Sequence, residues 1–208
     1  MILQTGQRTD IPAFYGTWLI NRVHQGFVDV RSPYNPMHIT RYPINHDVVD
    51  GIAFCTKNPL PFIPLLQEIN DYRQFWHMTI TPYGPDIEPY VPKSNSVIDG
   101  FKQISTRLNP QSMVWRYDPI ILTYNYTIDF HFENFYNMAK ALEGYTDTVV
   151  VSFLDVFDKV VQNFPEGYRP SLDIQTKIIK ELVSIAHSHQ MILKTCGEGD
   201  VFKELGVN

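Results

Sequence analysis

Short apolar runs rich in β-branched and aromatic residues recur along the chain, each followed by a polar cluster and then by a stretch of helical period. The runs fall at residues 2–6, 27–30, 51–55, 75–81, 113–116, 148–153 and 191–195. Between them, residues 11–25, 60–70, 94–108, 127–143, 155–163 and 172–190 read as helices. Asp10 stands at the N-cap of the first, with Pro12 in its opening turn. Phe14, Trp18 and Val23 are expected to share its buried side, and Gly26 to end it. Val97, Ile98, Phe101, Ile104 and Leu108 make one stripe of the third helix. Ile128, Phe132, Phe135 and Met138 do the same in the fourth, which Gly144 closes. Two stretches break the rhythm. Residues 31–45 are proline-rich, with a hairpin lid expected through 39–42, and Pro82, Pro85, Pro89 and Pro92 forbid a regular element over 82–93. The run at 148–153 is nearly continuous in apolar residues, as a strand buried on both faces should be.

The first four runs begin 24 or 25 residues apart. Such β-α alternation predicts a parallel sheet with right-handed crossovers. The expected fold is α/β and TIM-barrel-like, a (β/α) barrel of about seven parallel strands with surrounding helices. Seven strands are one short of closure, so the barrel is open or continues into a strand beyond Asn208. No linker composition divides the chain, and residues 1–208 read as one barrel-like domain.

Composition narrows the function classes. Hydrophobic residues at 44% and aromatics at 13% suffice for a core, which excludes disorder. A net charge of −5 supplies no basic field and disfavours nucleic-acid or anionic-membrane binding. No apolar stretch approaches a membrane span, and the N-terminus lacks the pattern of a signal peptide. Two cysteines, Cys55 and Cys196, make no disulfide framework and point to a reduced, cytoplasmic setting. Nor do they supply a four-cysteine metal site, and the seven histidines form no metal pattern.

In parallel α/β folds the carboxyl ends of the strands carry the site, because the loops there are free while the strands hold them rigid. Those positions deliver Arg8 and Asp10 after the first run, Arg31 after the second, and Thr56, Lys57 and Asn58 after the third. Tyr83 follows the fourth, Arg116 and Asp118 the fifth, Asp155 the sixth, and Cys196 and Glu198 the seventh. Each has a plain structural alternative. Asp10 can serve only as a helix cap. Lys57 can be a solvated loop lysine. Arg116 and Asp118, two apart in an extended segment, point to the same side and can form an internal ion pair. Asp155 can cap the helix after it.

At these same clusters the chain resembles a bacterial family catalogued as domain of unknown function 1848. The matching segments are Gln7-Arg8-Thr9-Asp10-Ile11-Pro12-Ala13-Phe14-Tyr15, Val30-Arg31-Ser32-Pro33-Tyr34-Asn35-Pro36 and Phe54-Cys55-Thr56-Lys57-Asn58-Pro59. Tyr83-Gly84-Pro85-Asp86-Ile87-Glu88-Pro89, Trp115-Arg116-Tyr117-Asp118-Pro119, Ser152-Phe153-Leu154-Asp155-Val156 and Thr195-Cys196-Gly197-Glu198 continue them. The resemblance implies a barrel similar to radical S-adenosylmethionine enzymes. Family members usually run on into a tail with three cysteines of a [4Fe–4S] motif, which has no counterpart in this sequence. S-adenosylmethionine and the cluster are therefore expected only where such a tail is present. On this reading Arg8, Lys57 and Arg116 hold a ligand carboxylate or phosphate. Asp10, Asp118 and Asp155 accept from ribose hydroxyls or an ammonium group. Arg31, Thr56, Asn58, Tyr83 and Glu198 complete the lining. The alternatives are a cluster-free enzyme in which Lys57, Asp118 and Asp155 do the chemistry, with Mg²⁺ or as acid and base, and a noncatalytic barrel completed by a partner at its terminal strand.

Overall fold

The computed structural model describes residues 1–6 and 8–207; Gln7, which opens the Arg8 motif, and Asn208 lie outside the described residues. The strands are β1 (Ile2–Gln4), β2 (Phe27–Arg31), β3 (Ile39–Pro43), β4 (Gly51–Thr56), β5 (Gln74–Thr79), β6 (Met113–Ile120), β7 (Thr148–Phe153) and β8 (Ile192–Thr195). The α-helices are α1 (Ile11–Phe14), α2 (Gly16–Gln25), α3 (Ser94–Arg107), α4 (Ile128–Leu142), α5 (Asp158–Asn163) and α6 (Leu172–Ser188). The fold is mixed α/β: a six-stranded parallel sheet in the order β1-β4-β5-β6-β7-β8, flanked by helices, and a separate two-stranded ribbon, β2-β3. The order has two ends, and among the described residues no pairing closes it into a barrel. Also among the described residues, no helix is long and apolar enough to cross a membrane. The chain divides into two compact units, Met1–Met78 and Thr79–Asn208.

In the first unit β1, β4 and β5 pair in parallel, with Ile2 opposite Gly51 and Ile52 opposite Gln74. The second apolar run does not join them. It forms β2, which pairs antiparallel with β3, Phe27 opposite Pro43 and Arg31 opposite Ile39. The reason is chemical. Asp29 and Arg31 alternate with Val28 and Val30, and Asp29 finds its partner on β3. Asp29 takes Arg41 of β3 in two hydrogen bonds of 2.8 Å.

Two helix expectations also need correction. The helix over 11–25 is broken at Tyr15 (φ −131°, ψ 24°), which separates α1 from α2. Gly16 lies so close to Phe62 that a Cβ there would stand 2.8 Å from its ring. The break resets which side of the helix faces inward: Leu19 and Ile20 are buried, while Phe14 is 71% exposed and Trp18 45%. Residues 60–70 make a 3₁₀ helix, Ile63–Ile69, in place of an α-helix, since Pro64 withholds the N–H that an α-helix would donate to the Leu60 carbonyl. The core of this unit is aromatic, with Phe54 stacked on Trp76 at 4.1 Å and Phe62 tilted against Phe54 at 5.2 Å.

In the second unit β6, β7 and β8 are parallel, with Arg116 opposite Val150 and Val150 opposite Lys194. Trp115 and Tyr117 on one face of β6 pack against Phe135 of α4, at 4.8 and 5.2 Å. Val149, Val151 and Leu193 on the same face are buried. The other face is different. Arg116, Asp118, Val150 and Ser152 are only half-buried, and Lys194 and Cys196 are exposed. The run at 148–153 is thus buried on one face, not two. Between Tyr117 and Ile120 the register with β7 slips by one residue, a bulge that carries Asp118.

Candidate functional site

Six of the residues picked out by sequence lie in the first unit and six in the second, and each group has its own geometry. After β1, Asp10 caps α1 as its position predicts: Oδ1 accepts from the Ala13 N–H at 3.0 Å. Its other oxygen accepts from the Thr56 hydroxyl at 2.9 Å and the Lys57 N–H at 2.8 Å, at the end of β4. The Thr56 hydroxyl oxygen accepts in turn from the Asn58 N–H at 2.9 Å, and Asn58 Oδ1 from the Leu60 N–H. One carboxylate therefore ties the β1–α1 loop to the β4 end, and Thr56, Lys57 and Asn58 turn the chain around it. Arg8 donates from Nη1 to the carbonyl of Arg31 at 3.0 Å, which fastens the same loop to the end of β2.

In the second unit Arg116 and Asp118 form a bidentate pair: Nε donates to Oδ1 at 3.2 Å, and Nη2 to Oδ2. The pair is part-buried, with side chains 26% and 13% exposed. The Asp118 carboxylate raises the Arg116 pKa above its already high ordinary value, against the pull of burial, and a hydrogen bond with the Cys196 side chain adds to the effect. Cys196 reaches this point because β8 ends one residue earlier, with the Cys196 N–H bonded to the Val151 carbonyl at 3.0 Å. The thiol is free and exposed.

A second charged group lies beyond β7. Glu198, whose side chain is 4% exposed, accepts the Phe153 N–H at 3.0 Å and pairs with Arg169. Arg169 also donates from Nη1 to Asp155 at 2.6 Å. Asp155 and Glu198 are thus joined by a residue that the sequence reading passed over. Arg169 sits 29 positions before Glu198, in an irregular Pro-Gly segment with no period, so nothing local marks it.

Tyr83 stands apart from both charged groups. Its hydroxyl donates to the Pro119 carbonyl at 2.6 Å and accepts from the Ile121 N–H at 2.9 Å. Burial pushes the phenol far above its ordinary range, so it stays protonated and spent on the backbone. Beside it lies a pair that sequence alone does not show. His131 Nε2 faces the Ile121 carbonyl at 2.8 Å and must carry the proton, which leaves Nδ1 to accept from the Tyr117 hydroxyl at 2.7 Å. Burial lowers the His131 pKa and raises that of Tyr117.

A [4Fe–4S] cluster of the radical-enzyme kind needs three thiolates, and the whole chain has two cysteines, one in each unit. The donor set does not fit. Among the described residues no group of three or more His, Cys, Asp or Glu side chains could hold a metal ion. A family model described as a domain of unknown function, DUF1848, matches residues 2–208. A search of curated proteins returns no match.

Proposed function

The chain belongs to the DUF1848 family, whose description names no activity, and from that premise we propose that it binds a small polar molecule at the carboxyl ends of β6, β7 and β8. One observation carries the proposal: a guanidinium, a carboxylate and a thiol, from Arg116, Asp118 and Cys196, meet on the half-exposed face of those strands. Ligands of parallel α/β sheets bind at this edge. Arg116 has five N–H donors. Asp118 occupies two of them, and the others suit an anionic oxygen. Asp118 acts by holding the guanidinium plane in one orientation. Asp155 is 76% exposed and bonded to Arg169 through only one oxygen, so the other suits a hydroxyl or ammonium group of the ligand. A carboxylate or phosphate together with hydroxyl or amino groups, as in amino acids, nucleotides and S-adenosylmethionine itself, meets both requirements. In a catalysed reaction Asp155 is the carboxylate placed to take a proton.

Alkylation of Cys196 by iodoacetamide, followed by peptide mass spectrometry so that Cys55 is counted separately, reports occupancy. Amino acids, ribonucleotides and S-adenosylmethionine, each added in turn, are the probes. At least one should slow Cys196 alkylation as its concentration rises, and Arg116→Gln should remove the protection. If none of them protects, the proposal fails.

A second reading, in which another protein covers this face, rests on Ile192, 49% exposed on the end strand β8. A dimer in sedimentation that dissociates on Ile192→Lys would favour it.

A further inference from the structure

The first unit contains a cavity of about 230 Å³ lined by its own residues. Its walls are Leu3 of β1, Trp18 and Leu19 of α2, Val28 and Val30 of β2, and Ile44. It exists because β2 leaves the parallel sheet. Strand alternation sends Asp29 outward to Arg41 and turns Val28 and Val30 towards β1 and α2, where they form one wall of a hollow.

Two cations line this mainly apolar space, Arg8 and Arg22, and no Asp or Glu is among the described lining residues. Arg8 is anchored by its bond to the Arg31 carbonyl. Arg22 is not so served. Its Nε is buried and has no hydrogen-bond partner among the described residues. Its guanidinium carbon stands 5.8 Å from the centre of the Phe27 ring, which offers a weak cation–π attraction and no acceptor for the N–H. Asp29, the carboxylate whose charge Arg22 feels, is already held bidentate by Arg41. A buried donor on a charged group is costly to leave unmade. An anion held in the cavity that Arg22 lines balances this charge.

We propose that this cavity binds a small monocarboxylate with an aliphatic or aromatic body. The body lies against Leu3, Leu19, Val28, Val30 and Ile44, and a carboxylate oxygen accepts from the Arg22 guanidinium. The second oxygen faces Arg8. The volume is below the roughly 300 Å³ at which sites for drug-sized ligands begin, so the occupant is compact. An apolar wall with a few placed polar groups is the usual composition of such sites, and the anion is set by the two guanidinium groups.

Benzoate, 3-methylbutanoate and hexanoate are the probes, with benzamide as a neutral match and inorganic phosphate as an anion without an apolar body. Thermal unfolding and calorimetric titration of the full chain are the measurements. At least one carboxylate should raise the unfolding midpoint in step with the logarithm of its concentration, while benzamide and phosphate should not. Arg22→Met should weaken the carboxylate by about tenfold or more without lowering the midpoint of the free protein, because it removes an unpartnered buried donor. Val28→Phe should fill the cavity and block binding by a route that leaves both arginines in place. Arg116→Gln should leave the binding intact, which separates this site from the one proposed above. Equal response to benzamide would mean simple filling of apolar space, equal response to phosphate an adventitious ion only, and either result overturns the proposal. So would silence from all three carboxylates, or full binding by Arg22→Met.

Discussion

Asp10→Ala removes one acceptor group from three donors at once. The Ala13 N–H at 3.0 Å is the helix cap, worth about 1 kcal/mol in typical hosts. The Thr56 hydroxyl at 2.9 Å and the Lys57 N–H at 2.8 Å are bonds to a charged oxygen, each worth about 1.5 kcal/mol at the low end suited to a part-buried site. The expected loss is therefore about 4 kcal/mol. Asp10→Asn separates the two functions. An amide has one acceptor oxygen, so it satisfies either the cap or the β4 end and turns an NH₂ towards the other; a loss of about 2 kcal/mol follows. The Thr56 bond is isolated by a double-mutant cycle with Thr56→Val. That change also strips the Asn58 N–H of its acceptor, but the term occurs in the single and the double variant and cancels, so a coupling of about 1–2 kcal/mol remains. Urea unfolding followed by tryptophan fluorescence reads the parent and every variant, since Trp18 and Trp76 report on the unit concerned. Additive losses, or an Asp10→Asn protein as stable as the parent, would refute the idea that this carboxylate clamps the loop to the strand.

Tyr83→Phe should cost about 2–3 kcal/mol in urea unfolding, because it strands a buried N–H at Ile121 and a carbonyl at Pro119 without changing the packing of the ring. His131 has a folded pKa below its ordinary 6.5 because it is buried. The unfolded chain then binds more protons between the two values, and stability is complete above about 6.5 and falls as pH drops through the folded pKa. The difference in unfolding free energy between the parent and His131→Gln, measured against pH, should show that slope in the parent alone. Arg169→Met should cost about 3 kcal/mol by leaving the enclosed Glu198 carboxylate without its cation. Adding Glu198→Gln should restore most of it, and a double variant weaker than the single would count against the pairing.

Much of the fold was legible along the chain, for a local reason. Val97, Ile98, Phe101 and Ile104 are buried together on α3 as their spacing predicts, because helical period alone decides which side chains share a face. Asp10 and Gly26 bound the first helical region as cap and left-handed stop, since both depend on backbone groups a few residues away. Arg116 and Asp118 meet because positions two apart on a strand face the same way. Where the reading strayed, the deciding partner was distant. The break at Tyr15 answers to Phe62 and Gly16, and β2 leaves the sheet for β3 through charges whose partner is Arg41.

The sequence by itself thus determined most of the elements, the cap at Asp10 and the stop at Gly26, and the pairs that lie within one strand or one turn. Tertiary structure alone decided which strands join the sheet, that one face of β6–β8 stays accessible, that Cys196 reaches Arg116, and that Arg169 bridges Asp155 and Glu198. Local geometry is set by torsions and neighbours a few residues off, and it repeats with a period that can be counted. Which distant charges meet depends on how long loops close and on how much burial each arrangement gains, and no spacing along the chain encodes that.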